Sequence, residues 1–416
     1  MTTRKLTTSL WISTLASLAL GMGCGGKETK SDAAPATADG GTLVGRDASG
    51  KDAAIPVEAA PREVAVVDVP VAADAPLDSP KDQAALDRGD GPTADGADRQ
   101  AEVLSIAYSC GAFPVDSNWK TVAGFRASVV AKGAPLSAPV ALTFAAGAFG
   151  GYAYIVDQGT NQVLKLDAQT GVVSPFIAGA EWPKPPQLLT TILWDADHVF
   201  DGQLYIGDQG GDGDADSTLF RGNAAGSVQV FATAPGPGLD DIYGLAFSPG
   251  GAYPAGLFVS GDTDGAGVGF GVLSATGTAT AFAQFSGVEG LAVDASGRFG
   301  GGLFASLPAS GGYAGDDTVS PIQANGTKGT PLVSGVPGIH ALVFAPAGPF
   351  GGDAYAASWS SQKIIRIKPD GTTTDLASGL SLTNYDGNIL SFSPDGRVLF
   401  VADRSNARVI CIEPTR

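Results

Sequence analysis

Glu289, His340 and Asn388 each stand four residues before Val293, Phe344 and Phe392, the residues that close three short apolar runs. Val140, Thr190 and Tyr243 hold the same offset before Phe144, Trp194 and Phe247. Asp241 and Asp386 lie two residues further upstream in their units, and a second acidic series, Asp157, Asp208, Asp262, Asp264, Asp316, Asp317 and Asp403, follows the next apolar run in five of the six units. Carboxylate and amide oxygens gathered at one point are the ligands of a hard divalent cation, calcium first. Glu289, Asn388, Asp241, Asp386 and Asp403 are therefore the candidate metal ligands, and Tyr243 and Asp157 the candidate contacts to an organic ligand. His340 is the candidate proton carrier, and a core histidine bonded to a carbonyl is the alternative reading. His198 lies beside a hairpin turn and reads as surface.

A separate run places Asp208, Asp212, Asp214 and Asp216 at nearly alternate positions, which lets a turning loop direct several oxygens at one cation. It is not an EF-hand loop, because Ser217 and Asn223 stand where Gly and Glu are required. The loop is a candidate second cation site or a solvated acidic turn.

The elements that must position these groups recur six times. The second apolar run of each unit begins at Tyr154, Tyr205, Phe258, Phe304, Tyr355 and Phe400, at intervals of 51, 53, 46, 51 and 45 residues. Four-stranded propeller blades repeat every roughly 40 to 50 residues. With 59 glycines, 16% charged residues and no long helical periodicity after the N-terminus, the chain is expected to be all-β, a six-bladed propeller over residues 101–416. The last unit ends one strand short, and Gly124–Ala131 has the alternation of the missing outer strand. It is expected to close the ring, since closure removes exposed sheet edges. The turns Gly147–Gly151, Gly297–Gly301 and Gly348–Gly352 share a Phe-Gly-Gly ending. They read as hairpin loops whose Phe packs between blades.

Ahead of the repeat, Arg4 and Lys5 precede an apolar run from Leu6 to Leu20. Such a run is short for a permanent membrane span and reads as an export signal, residues 1–23. Residues 24–100 are rich in Ala, Asp and Pro, and too poor in apolar surface to offset their conformational entropy, so a disordered tether is expected. Within it, Gly45–Lys51 imitates a phosphate-binding loop, but Asp52 replaces the Ser or Thr that would hold magnesium. Cys110 and Cys411 either form one disulfide between the ends of the domain or remain two buried thiols. A net charge of −17 excludes nucleic acid as a partner, because phosphate binding needs a basic face. HExxH, CxxC and GxSxG are all absent, and with them the sequence support for a metalloprotease, a thioredoxin-like site or an α/β-hydrolase elbow.

Two resemblances extend this reading. Gly23-Cys24 resembles the end of a bacterial lipoprotein signal, which implies lipidation of Cys24 and, with Gly25 following, an outer-membrane anchor in the cell envelope. Residues 124–416 resemble the six-bladed propellers of the senescence-marker-30 and gluconolactonase group and, more loosely, NHL-type repeats. That group holds a divalent metal through a Glu, an Asn and an Asp near the starts of inner strands, which implies Glu289 of Glu289-Gly290, Asn388 and Asp386. Two functions are open at this point. One is an envelope-anchored monomeric binding or scaffold module that holds a protein or small-molecule partner at its acidic central face, touching the membrane only through its anchor. The other is a metal-dependent hydrolase of a lactone or ester, in which the cation polarises the carbonyl and His340 or a rim carboxylate moves the proton.

Overall fold

The computed structural model describes residues 107–115, 117–211, 216–261, 269–283, 285, 287–307, 316–382 and 387–415, apart from the side chain of Asp316. The expected signal and tether, Cys24, Asp212, Asp214, Asp262, Asp264 and Asp386 lie outside these residues.

Six antiparallel sheets, five of four strands and one of five, follow one another along the chain as the blades of a propeller. Blade 1 runs Pro139–Ala145, Tyr152–Asp157, Gln162–Leu166 and Val173–Ile177 from its innermost to its outermost strand. Blades 2 to 5 repeat that order from inner strands Leu189–Trp194, Ile242–Phe247, Leu291–Asp294 and Ile339–Phe344. Blade 6 takes Leu390–Phe392, Leu399–Asp403 and Arg408–Pro414 from the C-terminus and its outer strand, Phe125–Lys132, from the N-terminus. Phe125 faces Pro414 and Lys132 faces Arg408 across that ladder, so the expected closing strand closes the ring.

Burial explains which strands form and where. Second strands such as Leu204–Asp208 and Leu399–Asp403 are buried at every residue, because each lies between two strands of its own blade and is covered by neighbouring blades on both faces. Their sequences are accordingly apolar up to the closing Asp208 and Asp403. Outer strands such as Thr373–Ser378 are half exposed and read as polar. The core is a series of layers between blades, and the layers on either side of blade 6 merge with N-terminal residues Tyr108, Cys110 and Trp119.

The repeated turns lock these layers. Phe149, Phe200 and Phe350 sit five residues before Tyr154, Tyr205 and Tyr355, and each tyrosine hydroxyl donates to the carbonyl of its phenylalanine, at 2.9, 3.4 and 3.0 Å. The rings also meet edge to face, a geometry that adds about 0.5–1.5 kcal/mol per pair beyond burial. Gly150 and Gly151 adopt φ of 79° and 77° to complete the first turn, conformations that cost a residue with a β-carbon.

Candidate functional site: the central mouth

The acids at the ends of second strands decide what the mouth is made of. Asp157 accepts the backbone amides of Ser137 and Ala138 at 2.7 and 3.0 Å and that of Thr160 at 3.0 Å. Asp208 accepts those of Gln187 and Leu188 at 3.1 and 2.7 Å. Asp403 accepts the Ser381 amide at 3.2 Å and pairs with Arg408 at 2.6 Å. Blade 4 has no acid at the end of its second strand; Asp317, at the start of its third strand, accepts the amide of Ile339, the first residue of the next inner strand, at 2.6 Å. Each carboxylate bolts a blade to the loop that leads into an inner strand. Charge-assisted bonds of this kind are about twice as strong as neutral ones. The sequence suggested an acidic rim with carboxylates to spare. These four are buried and engaged by protein donors instead, so they do not form an open acidic face.

Burial pushes the Asp208 carboxyl above its ordinary range, while the amides of Leu188, Gly210 and Gln187 hold it down. Asp216 likewise caps its own loop, accepting the Gly211 amide and the Gln187 side-chain amide, the latter at 2.7 Å. The two described members of the acidic run thus serve the backbone.

The mouth itself is built from inner-strand starts. Glu289 and His340, from neighbouring blades, meet with Oε2 3.2 Å from Nε2, and their side chains are 7% and 3% exposed. The edge of Trp359 stands against the imidazole at 6.0 Å between centroids, with the rings at 89°. Glycine lets the two blades approach this closely, since a β-carbon on Gly290 would lie 2.8 Å from the His340 carbonyl oxygen. Tyr243 accepts the side-chain amide of Gln209 at 3.2 Å. Thr190 donates to the carbonyl of Ile242, and Asn388 uses its own carbonyl to accept the Leu142 amide at 3.1 Å. On blade 6, a β-carbon on Gly387 would collide with the Thr190 carbonyl of blade 2, so the channel is narrow at this end. Asp241 sits half-buried in left-handed backbone at φ 44°, its amide donating to Ser217 Oγ at 3.2 Å. His198 is exposed at a turn between first and second strands, on the opposite face.

Four mouth residues were not singled out in the sequence: Gln158, Gln209, Trp359 and Arg404. Each stands one position after the last residue of a second strand. Arg404 donates to Gln158, which donates in turn to the Leu189 carbonyl at 3.2 Å and so spans blades 6, 1 and 2. The side-chain atoms Asn388 Oδ1, Gln209 Oε1 and Trp359 Nε1 are buried and have no hydrogen-bond partner.

Whether a cation fits can be tested on these positions. Among the described residues, no three of His, Cys, Asp or Glu gather to hold a metal ion. Glu289 faces His340, and Asp403 is bound to Arg408 and Asn406. Of the described candidate ligands, Asn388 has a buried side-chain oxygen, Oδ1, without a hydrogen-bond partner. Among the described residues, these candidate ligands do not gather into a three-ligand cation centre.

No family model and no curated protein matches the chain. Solved structures do. A gluconolactonase from Xanthomonas campestris superposes with a TM-score of 0.51 at 13% identity, over 71% of this chain and 91% of its own. The PQQ-bound aldose sugar dehydrogenase of Streptomyces coelicolor superposes with a TM-score of 0.50 at 16% identity, over 72% of this chain and 99% of its own. At these identities the likeness is one of fold, the six-bladed propeller.

Proposed function

We propose that this protein is an exported, lipid-anchored binding propeller whose central mouth takes a small polyhydroxylated molecule, a sugar or its lactone. One observation carries the reading: buried, unpartnered polar atoms of both kinds, the donor Trp359 Nε1 and the acceptors Gln209 Oε1 and Asn388 Oδ1, in the loops and strand starts that form the mouth. Leaving such atoms unsatisfied costs about 1–3 kcal/mol each. A hydroxyl both donates and accepts, so a polyol answers a mixed set where an anion or an apolar ligand does not. Trp359 adds an apolar surface of the kind on which a sugar ring rests. The test is titration calorimetry with glucose, xylose and glucono-δ-lactone, alone and with calcium. Binding that is lost in Trp359→Ala supports the reading, and absence of binding by every probe rejects it. Binding that depends on calcium would return the cation to the site.

A second reading, hydrolysis of the lactone, is favoured by the Glu289–His340 pair. A carboxylate that orients an imidazole is the arrangement of a general base and its partner. Turnover of glucono-δ-lactone that disappears in His340→Gln, with binding retained, would establish it. Attachment to the envelope rests on Gly23-Cys24. Cys24→Ala should release the protein from membranes, and unchanged retention would remove the anchor from this account.

A further inference from the structure

Residues 107–115 and 117–124 form a strap that ties blade 6 to both of its neighbours. Tyr108 donates its hydroxyl to the Gly151 carbonyl of blade 1 at 2.8 Å and its amide to Asp395 of blade 6 at 3.1 Å. Its ring packs edge to face on Phe144 at 5.3 Å. Further along, Lys120–Thr121 adds a fifth strand to blade 5 beside Ala377 and Ser378. Between these two anchor points Cys110 is bonded to Cys411, across 301 residues of sequence and 5.9 Å between α-carbons. Cys411 lies in the third strand of blade 6, opposite Ser128 of the closing strand. Both cysteines are fully buried.

That burial has a kinetic consequence. Thiol–disulfide exchange needs in-line access to a sulfur, and no reagent reaches either sulfur while the strap is docked. We infer that the propeller is a ring locked by oxidation: the strap must lift before the bond can form or break, and the bond, once made, seals the closing strand against local opening. Formation balances as two thiols plus one external disulfide giving the internal disulfide and two external thiols, so the oxidant is a disulfide of the export compartment. A chain that crosses the membrane reduced would close its ring there and lock it there. The inference does not depend on what the mouth binds.

The test uses the full oxidised chain under native conditions, with dithiothreitol as reductant and the free thiols trapped and counted by mass. If strap opening gates exchange, the rate of reduction levels off as dithiothreitol rises. Tyr108→Phe, which removes only the bond to Gly151, should raise the plateau severalfold, and Tyr108→Ala should raise it at least tenfold. A rate that stays proportional to dithiothreitol and ignores both variants overturns the inference. Amide exchange distinguishes local from global opening. After reduction, Phe125–Lys132 should exchange at least tenfold faster while Leu257–Gly261 in blade 3 is unchanged. Acceleration spread equally over both strands, or in neither, would show that the bond does not lock this seam. Should Tyr108→Ala fail to fold, the Tyr108→Phe plateau and the exchange of the reduced parent decide.

Discussion

Asp403 and Glu289 are both buried acids facing a basic side chain, Arg408 in one case and His340 in the other, yet they belong to different parts of the machine. Asp403 also accepts a backbone amide from the loop before its inner strand, and Asp157, Asp208 and Asp317 make bonds of the same kind. Glu289 meets a histidine from the next blade, near buried polar atoms that have no protein partner. The first group ties loops to blades, and the second joins two inner-strand starts at the mouth. An acidic side chain does not declare which it is. The availability of backbone N–H groups within reach decides.

The comparison can be broken most severely at Asp403. Asp403→Ala strands the Arg408 guanidinium, 6% exposed, in the blade, and breaking a buried pair in this way costs about 3–5 kcal/mol. Denaturant unfolding should show that loss, and a loss under about 1 kcal/mol would mean that the bolt holds little. A smaller stability effect is expected at the turns. Tyr355→Phe removes the donor to the buried Phe350 carbonyl and should cost about 1 kcal/mol, with Tyr154→Phe matching it in blade 1. Unequal losses would show that the blades are not equivalent there. At the mouth, Glu289→Gln keeps an acceptor for His340, so it should change stability by less than Tyr355→Phe while reducing ligand affinity tenfold or more.

The smallest effect is a slope. Burial raises the Asp208 carboxyl in the folded chain, so this group binds its proton more tightly folded than unfolded. The stability it contributes is complete below the ordinary carboxylate range and is lost as pH rises through the raised folded value. Asp208→Asn should remove that limb, and the stability of the variant relative to the parent should climb across the window. A difference that is flat with pH would place the Asp208 carboxyl back in its ordinary range.

Much of the fold was legible because second strands are buried on both faces and their middles must be apolar, as Tyr154-Ile-Val and Phe400-Val-Ala are. Ring closure was legible because the last unit ran out of chain before its outer strand. The added strand Lys120–Thr121 was not, since two polar residues carry no periodicity. The site was read less well. Glu289, His340, Asn388 and Tyr243 were placed correctly at inner-strand starts, while Asp157, Asp208 and Asp403 were assigned to ligands by their charge and are held by donors of the fold. Gln158, Gln209, Trp359 and Arg404 were overlooked although one rule gathers them: each follows the end of a second strand. Their differing types hid the shared position.

The central claim is that the mouth binds and the bolts hold. It is tested most directly by titrating glucose and glucono-δ-lactone into the parent protein, Glu289→Gln and Asp157→Asn, with the thermal midpoint of each recorded beside its affinity. Glu289→Gln should bind at least tenfold more weakly with its midpoint nearly unchanged, and Asp157→Asn should melt several degrees lower yet bind as the parent does. Binding that survives in Glu289→Gln and vanishes in Asp157→Asn, or that no probe shows in the parent, would contradict it.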